Sequence, residues 1–84
     1  MNADQARLLV ASALARVLEI SPESVTPATD LVEDLGVDSI GFIQLADVLE
    51  LNLAQAGIRS GVSDDALQRF ATVADVIEYV VALR

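Results

Sequence analysis

The segment Asp30-Leu31-Val32-Glu33-Asp34-Leu35-Gly36-Val37-Asp38-Ser39-Ile40 joins a turn, an isolated hydroxyl and the start of a helix. Gly36 permits a tight backbone turn, and a helix is predicted to begin near Ser39. Beyond it Phe42, Leu45, Ala46, Leu49 and Leu53 recur at steps of 3, 1, 3 and 4, the spacing of one buried helix face. Ser39, Gln44, Asp47 and Glu50 fall on the opposite side. Ile40, Ile43 and Leu51 lie among those polar groups, surplus to the core stripe, and are expected to be at least partly exposed. A mixed apolar and acidic surface suits docking, although single exposed apolar residues are ordinary on any protein.

The flanks of this segment complete an all-helical pattern. Asn2 can cap a first helix over about residues 3 to 19, with Gln5 three positions later. Ala6, Leu9, Val10, Ala13, Val17 and Ile20 are its predicted buried stripe. Ser21 to Asp38 is a long connection broken by Pro22 and Pro27, with room for one short turn at Ser21-Pro22. Val25, Leu31, Val32 and Leu35 are expected to anchor it across the helices. A second break with Gly57 and Gly61 runs from Ala56 to Ser63, and Ser63 can cap a short helix over Asp64 to Phe70. Thr72 opens a last helix, with Asp75 placed to complete a capping box. Val73, Val76, Ile77, Val80 and Val81 follow at helical spacing, which outweighs their β-branched preference for strands. The expected architecture is one domain over residues 1–84, a small all-α four-helix bundle with three main helices, one short helix and a long loop between the first two.

With 84 residues and no cysteine, the fold must rest on a single core drawn from its 54% hydrophobic residues. Net charge is -8, with five Arg, no Lys and no His. That argues against nucleic-acid binding, which needs a basic footprint. Acidity is consistent either with partners bearing basic docking patches or with solubility alone. No stretch approaches the roughly 18 apolar residues of a membrane span. Leu8 to Leu18 has the length of a signal-peptide core, but Arg16 interrupts it and Asp4 replaces the expected basic flank. A cytoplasmic, monomeric protein is expected.

The chemistry centres on Ser39. A serine opening a helix after a glycine turn is reachable by a large partner, and an anion joined to it would meet free backbone N–H groups and the positive end of the helix dipole. That attraction is worth about 0.3–1 kcal/mol at an exposed site. Asp34 and Asp38 would oppose it to a similar extent, so a covalent link is the more sensible way to hold a phosphate there. The plainer reading is that Ser39 is only an N-cap, worth about 1 kcal/mol.

Leu35-Gly36-Val37-Asp38-Ser39-Ile40, with its acidic and apolar lead-in, resembles the signature of the acyl carrier protein family. Ser21-Pro22-Glu23-Ser24-Val25 is similar to the short turn after the family's first helix, and Thr72 to Val80 to the opening of its last. The resemblance implies that a phosphopantetheinyl transferase, using Mg²⁺, moves 4'-phosphopantetheine from coenzyme A onto Ser39, and that acyl groups ride on the arm's thiol as thioesters. It implies that Asp38 helps position the transferase and that nearby carboxylates reach its metal. It further implies that Ile40, Ile43, Gln44, Asp47, Glu50 and Leu51 form the face read by acyltransferase, ketosynthase or ligase-type enzymes, and that Phe42 borders a cavity for the acyl chain.

The chain departs from the family pattern in places. Gln44 stands where many members have glutamate, Asp47 replaces an apolar residue, and Leu51 stands where another acid is common. Gly41 lies early in a helix, where it costs about 1 kcal/mol relative to Ala. The region after Leu53 is several residues longer than usual. These features point to a specialised carrier for polyketide or related secondary metabolism, with fatty-acid synthesis as the neighbouring option. Peptidyl carriers usually have a second glycine before the variable residue, which Gly36-Val37-Asp38-Ser39 lacks.

An independent enzyme is disfavoured, because His, Cys and Lys, the usual bases and nucleophiles, are absent. Glu33, Asp34 and Asp38 would leave only carboxylate catalysis, and a solvated acidic loop is the simpler account. Neither EF-hand spacing nor a His or Cys ligand suggests a resident metal. A helical interaction module without a prosthetic group remains the alternative.

Overall fold

The computed structural model describes residues 1–83. Four α-helices follow in chain order: α1 (Ala3–Leu18), α2 (Ser39–Gln55), α3 (Asp64–Arg69) and α4 (Val73–Ala82). A 3₁₀ turn at Pro22–Ser24 interrupts the first connection. Each α-helix begins at a side-chain cap, which satisfies an N–H that the first turn cannot pair internally. Asn2 and Gln5 form a reciprocal box at α1, with Gln5 N–H to Asn2 Oδ1 at 2.8 Å and Asn2 N–H to Gln5 Oε1 at 3.1 Å. Thr72 and Asp75 do the same at α4, and Ser63 caps α3.

Both α2 and α4 pack on α1. The centre is aliphatic: Val10, Leu14, Leu45, Leu49, Leu53 and Val76 have no exposed surface. The α1 stripe is rotated from its expected position. Leu14 is fully buried, whereas Leu9, Val17 and Ile20 are only half-buried. The true stripe is Ala6, Val10, Ala13 and Leu14, because α1 must meet α2 on one side and α4 on the other. In α4, Val73, Val76 and Val80 point inward while Val81 is exposed.

The long connection lies across the helices. Leu31 is completely buried, and Val25 and Leu35 pack against the core, but Val32 is 54% exposed and is no anchor. Val37, not foreseen as a core residue, is buried. Backbone hydrogen bonds tie this loop to the entrance of α4. Leu31 N–H donates to Ala71 O at 2.9 Å, Val73 N–H to Thr29 O at 3.0 Å and Ala74 N–H to Pro27 O at 3.0 Å. Asp30 and Thr72 thereby form an isolated antiparallel bridge.

Candidate functional site

Two aspartates shape the approach to Ser39. Asp30 Oδ1 accepts the N–H groups of Val32 (3.0 Å) and Glu33 (2.8 Å), and Asp34 Oδ2 accepts Asp30 N–H at 2.7 Å. These bonds wind residues 30–35 into a compact turn, closed by Leu35 N–H to Asp30 O at 3.2 Å. Gly36 then takes φ +68°, a left-handed conformation that a side chain would strain. The reversal sends Val37 into the core, with its N–H on Leu31 O at 2.9 Å.

Asp38, not Ser39, is the cap of α2. Its Oδ1 accepts Gly41 N–H at 2.7 Å, and Ser39 is the first helical residue. The plain capping role considered for Ser39 is therefore filled by its neighbour, and Ser39 is exposed at the positive end of the helix. Gly41 is buried where the chain crosses its own helix. A Cβ there would stand 3.1 Å from Val37 Cγ1 and 3.2 Å from Asp38 Oδ1. The glycine disfavoured by helix propensity thus sits where an added Cβ would be crowded, and close approach weighs against alanine there.

Ser39 lies in the wall of an open groove of about 460 Å³ between α2 and α3. Val32, Phe42, Ile43 and Leu67 supply apolar surface beside it, and Asp64 and Gln68 supply polar groups. Phe42, expected at a cavity border, is half-buried against the core and lines this groove. Val32, Asp64, Leu67 and Gln68 carry no local signal of such a role, since the groove exists only where distant segments meet.

Along the outer side of α2, Ile40, Ile43 and Leu51 are 67%, 60% and 45% exposed, and Gln44 and Asp47 are exposed with them. Glu50 is placed differently. It is half-buried, and its Oε1 accepts Val62 N–H at 2.8 Å, which ties the second loop to α2. Among the acids considered for catalysis, Asp34 and Asp38 are both occupied by backbone N–H groups.

Two acidic groups titrate away from their usual range. Thr72 and Ala71 N–H groups hold the Asp75 carboxyl below the ordinary aspartate value. The Ser21 hydroxyl, aided by the residue's own N–H, lowers that of Glu23. Both lie in caps and turns, and neither lines the groove.

Residues 9–80 match the family model described as "Phosphopantetheine attachment site". The chain is 36% identical over 67 residues to an acyl carrier protein of Phytoplasma mali, covering 80% of this chain and 74% of that one. It is 33% identical over 63 residues to one from Wolinella succinogenes, covering 75% and 76%. With one from Clostridium perfringens it shares 30% over 67 residues, covering 80% and 82%. A capped helix with an exposed serine at its tip, beside an apolar groove, suits the covalent attachment of such an arm. By these matches the chain belongs to the acyl carrier protein family, with phosphopantetheine as its prosthetic group.

Proposed function

We propose that Ser39 takes the phosphopantetheine arm and that residues 1–84 act as one carrier domain, presenting thioester-bound acyl groups to partner enzymes. One observation carries this reading: Asp38 makes the capping bond, leaving the exposed Ser39 hydroxyl for chemistry. In the loading step Ser39 Oγ forms a bond to the phosphorus that coenzyme A supplies. The bond from that phosphorus to the adenosine bisphosphate breaks, and the serine proton passes to the transferase. The arm brings a terminal thiol, which this cysteine-free chain lacks.

The remaining residues orient and display. Asp38 holds the first turn of α2 and so fixes where Ser39 points. Ile40, Ile43, Gln44, Asp47 and Leu51 give partners a surface of apolar contacts with few charges. Desolvated apolar residues supply affinity there, and acidic ones steer basic partners. The transferase and acyltransferase, ketosynthase or ligase-type enzymes are the partners this surface fits. Asp47 and Gln44 in place of a more uniformly acidic or apolar helix support a specialised carrier of polyketide or related secondary metabolism, acting in the cytoplasm.

Incubation with coenzyme A and a broad-specificity transferase, followed by intact-mass measurement, tests the attachment. One phosphopantetheine increment is expected, and Ser39→Ala abolishes it. An increment that survives Ser39→Ala places the arm elsewhere.

A further inference from the structure

Asp75 holds more than the start of its own helix. Its Oδ2 accepts the N–H groups of Ala71 at 2.8 Å and Thr72 at 3.0 Å. The capping box of α4 needs only the second of these. Thr72 N–H and Ala71 C=O belong to one peptide unit, planar and trans, so they point in opposite directions. The carboxylate grips one side of that unit, and on the other side its carbonyl accepts Leu31 N–H at 2.9 Å. Leu31 carries the connection onward. Its side chain is completely buried, and its own carbonyl accepts Val37 N–H at 2.9 Å. Between Val37 and Ser39 stands only Asp38, the cap of α2. A run of hydrogen bonds thus leads from the Asp75 carboxylate to the residues that aim the serine.

Two further ties fasten the same strap, residues 27–31. Val73 N–H donates to Thr29 O and Ala74 N–H to Pro27 O, both at 3.0 Å. These are the first two N–H groups of α4, which a helix cannot pair within itself. The strap supplies their acceptors, so the entrance of α4 and the approach to Ser39 complete each other. Side-chain packing does less. Residues 26–28 and 32–34, on either side of the buried Leu31, are exposed. A segment with few buried apolar contacts, held by backbone bonds near the surface, opens locally at low cost. The strap therefore has two positions, fastened and lifted, and the peptide unit gripped by Asp75 biases it toward the first.

We infer that Asp75 is a positioning residue for the loading of Ser39: by clamping the peptide between Ala71 and Thr72 it keeps the strap fastened through Leu31, and the fastened strap holds the serine where a transferase engages it. This inference rests on attachment at Ser39 and names a control on that site from the far end of the chain.

The test measures steady-state loading from coenzyme A by a broad-specificity transferase, read by intact mass, at a temperature where circular dichroism shows each variant folded. Lifting the strap withdraws carrier from the competent population, so the KM for the carrier rises while kcat is kept. Asp75→Ala is expected to raise that KM by about 2- to 30-fold, the usual span of coupling between distant sites. Asp75→Asn, whose amide oxygen still accepts both N–H groups, recovers most of the loss. Two controls are expected to load as wild type. Glu78→Gln removes an exposed charge from the same helix, and Asn2→Ala weakens the fold by removing the α1 cap without touching the strap. Hydrogen exchange gives a second readout: Asp75→Ala lowers protection at the Leu31 and Val37 amides and leaves that of Val62, which Glu50 holds, unchanged. Should Asp75→Ala fail to fold, Val73→Pro decides. Proline suits a first helical position after an extended Thr72, and its ring replaces the N–H that holds Thr29 O. It is expected to raise KM in the same way. No mass gain in the wild type, or a gain that survives Ser39→Ala, refutes the attachment and this inference with it. Ser39-dependent loading that is as fast in Asp75→Ala as in wild type, or is slowed as much by Asn2→Ala or Glu78→Gln, overturns the role of Asp75 and leaves the attachment standing.

Discussion

Replacing Gly41 with alanine sets two effects of similar size against each other. Alanine is favoured over glycine in a helix interior by about 1 kcal/mol, and by less in a first turn. The added Cβ would meet Val37 Cγ1 at 3.1 Å and Asp38 Oδ1 at 3.2 Å. Neither neighbour yields freely. Val37 is buried with its N–H on Leu31 O, and Asp38 Oδ1 is already 2.7 Å from Gly41 N–H. Overpacking of this kind costs about 1–3 kcal/mol, and displacing the cap adds about 1 kcal/mol. The balance favours the glycine by about 1–3 kcal/mol, so Gly41→Ala is expected to lower the melting temperature by at least about 4–8 °C. Thermal melts followed by circular dichroism measure this directly. A cycle with Val37→Ala separates the terms: trimming Val37 relieves the main contact, and the two changes should couple by about 0.5 kcal/mol or more. A Gly41→Ala protein that melts higher than wild type would refute the argument that close approach dominates at this position.

Gly36→Ala places a side chain at φ +68° with open space around it, so conformational strain alone should destabilise the fold by about 1–2 kcal/mol in chemical denaturation. Asp75 titrates below 3.8 because Thr72 and Ala71 donate to it, so its contribution is fully present above that pH and is lost as pH falls through the lower folded value. An acid titration of the melting temperature should therefore show a shallower decline below pH 3.8 for Asp75→Asn than for wild type. Thirteen acidic residues against five basic ones give net self-repulsion, so moderate NaCl or millimolar Mg²⁺ should raise the melting temperature, and a flat response would count against repulsion as a main strain.

Features written in short-range pattern were legible from the sequence. Asn2, Ser63 and Thr72 cap helices as their spacing implies, because a cap needs only a side chain and an N–H three residues away. The exposure of Ile40, Ile43 and Leu51 followed from their being surplus to one buried stripe. What escaped was set by partners far along the chain. Leu14 is central because α1 touches two helices, which its own periodicity does not reveal. Val32 faces outward instead of anchoring the loop, and Val37, to which no core role was assigned, is buried, with the left-handed turn at Gly36 between them. Glu50 looked like another outward acid, and only the position of the second loop turns its carboxylate to Val62. At the helix tip, Asp38 and Ser39 are both good caps by type, and the backbone decides in favour of the aspartate.

The bridge between Asp30 and Thr72 has a consequence for the timing of assembly. Pro27 and Thr29 accept, and Leu31 donates, backbone hydrogen bonds that reach residues 71 to 74, so the strap leading to the helix tip is held by residues synthesised well after it. At about 5–20 residues per second, the 42 positions from 30 to 72 take roughly 2–8 s to translate. Throughout that interval a nascent chain lacks these ties, and the proposed attachment at Ser39 would favour chains whose strap is already fastened.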